Sequence, residues 1–84
     1  MTGSAMAKRK VMLKYPEQLI KEPVLFRMAK EFDVMPNIRR ARVTETIGEI
    51  VAELDGAPEN LQRGIAYLQQ EGVVVEPVEG DIVE

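Results

Sequence analysis

The fold of this chain is decided by residues 34–56, which read VMPNIRRARVTETIGEIVAELDG. In the second half of this stretch, Ile50, Ala52 and Leu54 alternate with Glu49, Val51 and Glu53, and a period of two is typical of β-strands whose faces differ. Thr46-Ile47-Gly48 separates the halves and supplies the turn between them. The stretch is therefore predicted to be the central hairpin of a small sheet, with a helical segment before it and another after it.

The first strand of this hairpin contains one ambiguous position. Ala41 and Val43 are predicted to face the core, which places Arg40 and Arg42 on the opposite face. Arg39 then has the parity of a core-facing residue, so we expect it at the mouth of the strand or at a β-bulge.

Upstream of the hairpin, the pattern predicts a strand and then a helix. Residues 10–15 alternate as a half-buried strand does, and Pro16 ends them because proline cannot donate to a ladder. Pro23 is favourable at the first position of a helix, where its missing N–H would have no partner. The helix is amphipathic, and its apolar stripe consists of Leu25, Met28, Ala29 and Phe32.

Downstream of the hairpin, the pattern predicts a second helix and then a last strand. Pro58 is placed to begin a second helix, and Gly72 is the expected C-terminal stop. Gly64, inside that helix, is expected to permit close packing against the sheet. Residues 73–78 form the last strand, and Pro77 indicates that this strand lies at an edge.

The order β-α-β-β-α-β predicts an α+β fold, the ferredoxin-like sandwich. With right-handed crossovers it gives a four-stranded antiparallel sheet in the order 4-1-3-2, with both helices on one face. The domain is expected to span residues 8–79. Disordered tails are expected over residues 1–7 and, with acidic composition, over residues 80–84.

Composition excludes several kinds of chemistry. The 84 residues include neither cysteine nor histidine, which removes disulfides, thiolate metal sites, cysteine nucleophiles and the commonest general base. We expect no catalysis, no cofactor and no metal site. The net charge of −3 argues against nucleic-acid binding. With no apolar run long enough to span a bilayer and no signal peptide, a cytoplasmic protein without membrane insertion is expected.

The sheet face without helices is expected to mix charged and apolar residues. Basic side chains on strands 1 and 2 alternate in space with acidic side chains on strands 3 and 4, which is the pattern of a solvated salt ladder. Five apolar residues fall among these charges, namely Met12, Ile38, Val51, Val74 and Val78. They favour a face that binds a partner, most simply a second copy of the chain, over a face that is exposed only to solvent.

Asn37 stands out where the first hairpin strand begins. Its side chain is able to make a local turn or cap bond to the backbone. Alternatively it is able to bind the amino or carboxylate group of a ligand, since one amide offers both donor and acceptor. Both interpretations remain open from the residues alone.

Four separated motifs resemble the NIL domain, a family related in fold to ACT regulatory domains. They are Val34-Met35-Pro36-Asn37-Ile38-Arg39, Lys21-Glu22-Pro23-Val24, Leu54-Asp55-Gly56 and the stretch from Ala66 to Glu76. The family is named for an Asn-Ile-Leu triplet, and Arg39 replaces its third residue here. The resemblance implies a ligand site at Asn37 and Ile38, with Met35 and Arg39 beside them.

The resemblance also implies a function. NIL domains are best known from the ATPases of bacterial methionine ABC importers, where they pair through their sheets and bind methionine to stop transport. We therefore expect a non-catalytic, homodimeric regulatory domain that binds L-methionine or a similar amino acid at the dimer interface. The alternatives are a protein-interaction adaptor that has lost its ligand, and a separate subunit of a ferredoxin-type or sulfur-assimilation system. The expected partner is an ABC transporter ATPase or a ferredoxin-type protein.

Overall fold

The computed structural model describes residues 6–78, so most of both predicted tails lies outside the described residues. Four strands and two helices follow the predicted order, with one turn of 3-10 helix at Glu17–Leu19. The strands are β1 (Ala7–Tyr15), β2 (Met35–Val43), β3 (Gly48–Gly56) and β4 (Val74–Pro77), and the helices are α1 (Val24–Phe32) and α2 (Pro58–Glu71).

The sheet has the order β2-β3-β1-β4, and all three neighbouring pairs are antiparallel. This order is the predicted 4-1-3-2 arrangement, which the structure confirms together with the ferredoxin-like fold. β2 and β4 are therefore the edge strands. The edge position of β4 is compatible with Pro77, which cannot donate to a ladder.

β1 begins three residues earlier than the predicted start at Lys10. Ala7, which the sequence assigned to the tail, pairs with Gly56, and the ladder runs without interruption to Tyr15 opposite Gly48. The extension is set by β3, whose nine residues supply ladder partners along the whole of β1. The run Lys8-Arg9-Lys10 has no apolar alternation, so only this backbone pairing identifies it as a strand.

Local hydrogen bonds and left-handed residues close the connections, and the predicted stop of α2 at Gly72 is among them. In the hairpin turn, the Thr44 hydroxyl oxygen accepts hydrogen bonds from the backbone N–H groups of Thr46 and Ile47 at 3.2 and 2.9 Å. α2 ends at Gly72, whose φ of 112° is a left-handed conformation that favours glycine. α1 ends at Asp33, also in a left-handed conformation.

The core lies between the helices and one face of the sheet. Ten buried apolar residues form it, with the central strands β1 and β3 contributing Val11, Leu13, Ala52 and Leu54. Gly64 serves the packing of α2, but its nearest neighbour differs from the prediction. A Cβ at this position would lie 2.7 Å from Met28 Sδ, so the close approach is to α1 and not to the sheet.

Candidate functional site

We call the sheet face turned away from the helices the open face. The strand register arranges its side chains in four rows. From one end to the other, these rows contain Val74, Lys14, Glu49 and Arg42; then Glu76, Met12, Val51 and Arg40; then Lys10, Glu53 and Asn37; and finally Lys8, Asp55 and Met35.

Opposite charges meet across neighbouring strands of the open face, as the sequence predicted. Lys14 faces Glu49 on β3, and its Nζ lies 3.3 Å from Glu76 Oε1 on β4. Both of these β1–β4 side chains are about half exposed, so the pair contributes no more than about 1 kcal/mol. Opposite charges therefore alternate across the strands of this face, and they do not by themselves identify what binds to it.

A β-bulge interrupts β2 between Ile38 and Arg40, which confirms the bulge expected at Arg39. The bulge reverses the parity of the residues before it. Ile38 consequently pairs with Ala52 and has the parity of the helix side, so the prediction that places Ile38 on the open face is wrong. Ile38 is still 50% exposed, because β2 is an edge strand.

The four residues predicted to bind a ligand are therefore divided between two faces. Met35 and Asn37 lie on the open face, opposite Asp55 and Glu53 respectively. Ile38 lies on the other face, and Arg39 occupies the bulge at the exposed edge of the sheet. The structure brings Met35 and Asn37 together and separates them from Ile38.

Asn37 makes no side-chain hydrogen bond to any residue of the 6–78 range. It lies within the ladder of β2, so the local turn or cap bond considered from the sequence does not form here. Its amide is exposed on the open face, with both donor and acceptor available.

A groove of about 180 Å³ opens on this face, in the two rows next to that of Asn37. Val51 is one of its lining residues and is only 6% exposed although no helix covers it. The groove is lined by Met12, Arg40, Ala41, Arg42, Glu49 and Val51. The sequence predicted Arg40 and Val51 on the open face, and the structure brings them together in this groove.

Two carboxylates flank the predicted ligand residues. The Glu53 side chain is 20% exposed, and its ion-pair partner Lys8 is 4.0 Å away. Asp55, opposite Met35, has a buried Oδ1 without a hydrogen-bond partner among the described residues. Lys10 and Lys8 lie opposite these two carboxylates on β1, so the charges at this end of the open face are balanced.

A second, apolar cavity of about 140 Å³ lies on the helix side, at the opposite end of the sheet from Met35. It is lined mainly by aliphatic and aromatic groups that include Tyr15, Ile20, Pro23, Phe26, Val43 and Ile50. The Tyr15 hydroxyl is buried without a hydrogen-bond partner in residues 6–78, and burial raises the pKa of Tyr15 to about 12.

Tyr15→Phe is expected to leave the protein as stable at pH 7 or to stabilise it by up to about 1 kcal/mol, since it removes an unsatisfied buried hydroxyl. The wild type should also lose stability as the pH rises from about 10 to about 12. In that interval the unfolded tyrosine has released its proton while the folded one retains it. Urea unfolding of both proteins at pH 7 and pH 11 measures how much Tyr15 contributes to the loss of unfolding free energy. Lysines also titrate in this range, but both proteins contain the same lysines, so their contribution cancels in the comparison. Identical pH dependence, or a clearly weaker variant at pH 7, would contradict the expectation.

Residues 6–78 contain no group of three or more acidic side chains placed to hold a metal ion. None of the helices in this part of the chain is long and apolar enough to cross a membrane.

The fold defines a small α+β domain in which the helices cover one side of the sheet and leave the other side uncovered. The NIL domain model matches residues 9–77, and the chain belongs to the NIL domain family.

Curated relatives connect the chain to a particular class of proteins. It is 37% identical over 62 residues to the methionine import ATP-binding protein MetN 1 of Listeria innocua, covering 69% of this chain and 18% of that protein. It is 34% identical over 59 residues to the protein of the same name from Bacillus cereus, covering 66% and 17%. The chain thus spans about a fifth of the length of the curated relatives it matches.

The fold is also that of a solved structure, the C-terminal domain of an ABC transporter ATP-binding protein from Enterococcus faecalis. The two share a TM-score of 0.77 with 21% sequence identity, over 87% of this chain and 86% of that one. This likeness shows the fold.

Proposed function

We propose that this NIL domain is a non-catalytic regulatory domain that binds a small amino acid, with L-methionine as the first candidate, at the interface of a homodimer. In this proposal it acts in the cytoplasm on an ABC transporter ATPase or on a sulfur-metabolism partner. The family match over residues 9–77, with relatives named as methionine import ATP-binding proteins, carries the proposal.

The open face supports the dimer. Met35 is 69% exposed and Val74 is 51% exposed, and Met12 and Val51 lie between them. Apolar groups scattered over a sheet that no helix covers are suited to burial against a second copy. Added buried area also benefits a domain of this size, since small domains bury a limited share of their surface.

The exposed amide of Asn37 supports its assignment to the ligand. In the proposal, Asn37 hydrogen-bonds the polar end of the amino acid, and Met35 contacts its side chain from the same face. Ile38 and Arg39, at the bulge, contribute from the edge of the sheet or from the partner copy. An amide with unused donor and acceptor meets both the ammonium and the carboxylate of an amino acid.

Arg39 favours a second candidate function. A charged residue stands at the exposed bulge where the family has leucine, and this change suits an adaptor that recognises a protein and has lost the ligand. A ferredoxin-type protein is one partner for such an adaptor.

Isothermal titration with L-methionine tests the proposal, with Asn37→Ala as the variant and Asn60→Ala as the matched control. Asn60 lies on α2, on the other side of the sheet. We expect saturable binding to the wild type and to Asn60→Ala, and at least tenfold weaker binding to Asn37→Ala, because one lost hydrogen bond to a charged group costs about 1.5 kcal/mol or more.

Sedimentation velocity of the same samples reports the oligomeric state. The proposal expects a dimer that methionine stabilises, since a ligand bound between two copies favours their association. A folded wild type that gives no heat up to millimolar methionine would contradict the sensor and leave the adaptor as the better account.

A further inference from the structure

β2 forms one edge of the sheet over its full length of nine residues. Pro36 is half-buried, and the other residues of the strand are exposed. No other strand of residues 6–78 lies beyond β2, so the backbone N–H and C=O groups on its outer side have no ladder partner there. An edge of this kind is able to receive an added strand, which pairs with it through main-chain hydrogen bonds.

The helix side of β2 is apolar and largely uncovered. Beyond Pro36, the residues of β2 that face this side are Ile38, Ala41 and Val43, and all three are exposed. Val43 is 56% exposed, and Phe26 on α1 is 65% exposed. The helices therefore leave an apolar ledge along β2, which we define by Ile38, Ala41, Val43 and Phe26.

The apolar cavity of the helix side opens at one end of this ledge. Val43 and Phe26 both line the cavity, and they are exposed members of its wall, so its mouth lies between β2 and α1. Its volume is about 140 Å³, and an apolar cavity of about 150 Å³ is large enough to hold benzene. One leucine, methionine or phenylalanine side chain of an added strand would fit it.

Every charge on β2 is positive. Arg39 lies in the bulge, Arg40 and Arg42 lie on the open face, and residues 35–43 contain no acidic side chain. None of the three arginines takes part in the ion pairs found within residues 6–78. Arginine binds carboxylates through paired, charge-assisted hydrogen bonds. The charge of this edge is therefore complementary to an acidic segment.

The same charges disfavour a second copy of the chain on this edge. Pairing of two β2 strands would bring together the arginines of both copies without a carboxylate on either strand, and like charges on neighbouring strands are destabilising. A homodimer that stacks two open faces does not use the hydrogen-bonding edge of β2. Charges and a bulge also prevent indiscriminate pairing of an edge strand, so a segment of opposite charge is the one suited to this edge.

We propose that the outer edge of β2 binds an acidic extended segment of a partner protein as a fifth strand. The backbone of the segment hydrogen-bonds β2, and acidic residues at alternate positions bind Arg40 and Arg42. The intervening apolar residues lie on the ledge, and one of them enters the cavity beside Phe26. Such a segment needs about six residues, the usual length of a strand. This surface is separate from the amino-acid site of the proposed function and does not depend on it.

Fluorescence anisotropy with a labelled synthetic peptide tests the proposal. The probe is a peptide in which glutamate and leucine alternate over seven residues, and its control has lysine in place of every glutamate. We expect the wild type to bind the probe about tenfold or more tightly than the control, because one charge-assisted hydrogen bond is worth about that factor. The affinity for the probe should fall as the salt concentration rises.

Two N-methylated peptides test whether the probe pairs through its backbone. The N–H groups of a strand point alternately to its two sides. One peptide is therefore methylated on the glutamate nitrogens and the other on the leucine nitrogens. We expect one of them to bind about tenfold or more weakly than the probe, because it cannot donate to β2, and the other to retain most of the affinity.

Charge reversal locates the binding surface. A variant that combines Arg40→Glu with Arg42→Glu should lose affinity for the probe and bind the lysine peptide more tightly than the wild type does. Arg63→Glu makes the same substitution on the exposed surface of α2 and should retain the preference for the probe. Circular dichroism of each variant establishes that it is folded.

The possible outcomes are distinct. If the wild type binds the glutamate and lysine peptides equally, or if both methylated peptides bind as tightly as the probe, no acidic strand is added and the proposal is overturned. If sedimentation velocity shows a dimer that the probe separates into monomers, a second copy occupies the edge, and the acidic partner is overturned. Titration with methionine is a separate measurement, so failure of the amino-acid sensor and failure of this inference are distinguishable.

Discussion

Leu13→Ala is expected to cost about 3 kcal/mol of unfolding free energy, a large part of the stability of a domain this small. Leu13 is fully buried on β1, where it pairs with both β3 and β4, and its side chain is among the largest of the core. Truncation removes its apolar contacts and leaves a cavity that two flanking ladders prevent from collapsing. Thermal unfolding should show a melting temperature roughly 12–24 °C lower.

Val43→Ala is the control for this variant. It removes apolar atoms from the edge strand β2 at a side chain that is 56% exposed and does not lie on the open face. We expect its unfolding free energy to stay within about 0.5 kcal/mol of the wild type. Both proteins are compared at one concentration, since dimerisation makes the melting temperature concentration-dependent. If the Leu13→Ala protein had the same unfolding free energy as the control, the core would not be packed as described.

Most of the fold was predictable because local and long-range signals agree. The prolines that precede α1 and begin α2, together with Gly72 after α2, set the helix limits. The alternation on β3 is strict, with Ile50, Ala52 and Leu54 facing the core. Two crossovers of fixed hand then leave few possible strand orders.

The faces of β2 were harder to predict. Register is fixed from sequence where one face of a strand is buried, and on β2 only Pro36 is even partly buried. The run Ile38-Arg39-Arg40-Ala41 is compatible with more than one parity, so the sequence locates the bulge approximately without stating which residues change face. The register with β3 decides this, and it moves Ile38 away from Asn37.

The groove of the open face was missed for a related reason. Its lining residues Arg40 and Val51 belong to different strands, and nothing in their local sequence associates them with each other. A family motif draws attention to consecutive residues such as Asn37, Ile38 and Arg39. In a sheet, however, the neighbours of a side chain are two residues away on its own strand and opposite it on the next strand.

Gly64→Val is expected to destabilise the domain by about 2 kcal/mol. The ideal Cβ at this position lies 2.7 Å from Met28 Sδ and 3.3 Å from Met28 Cγ, and Met28 is fully buried. α1 and α2 must then separate, or Met28 must leave its rotamer, and overpacking of this kind typically costs 1–3 kcal/mol. The gain in helix propensity over glycine, below about 1 kcal/mol, offsets only part of that cost.

A double-mutant cycle with Met28→Ala identifies the contact that causes the loss. Met28→Ala alone should cost about 2–4 kcal/mol through the cavity it creates. Because the valine methyl groups occupy the space that Met28 vacates, the double variant should be at least 1 kcal/mol more stable than the sum of the single effects. Ala66→Val, at an exposed position of the same helix, controls for β-branching and should cost less than about 1 kcal/mol. Additive losses in the cycle would show that Gly64 is required for a reason other than its contact with α1.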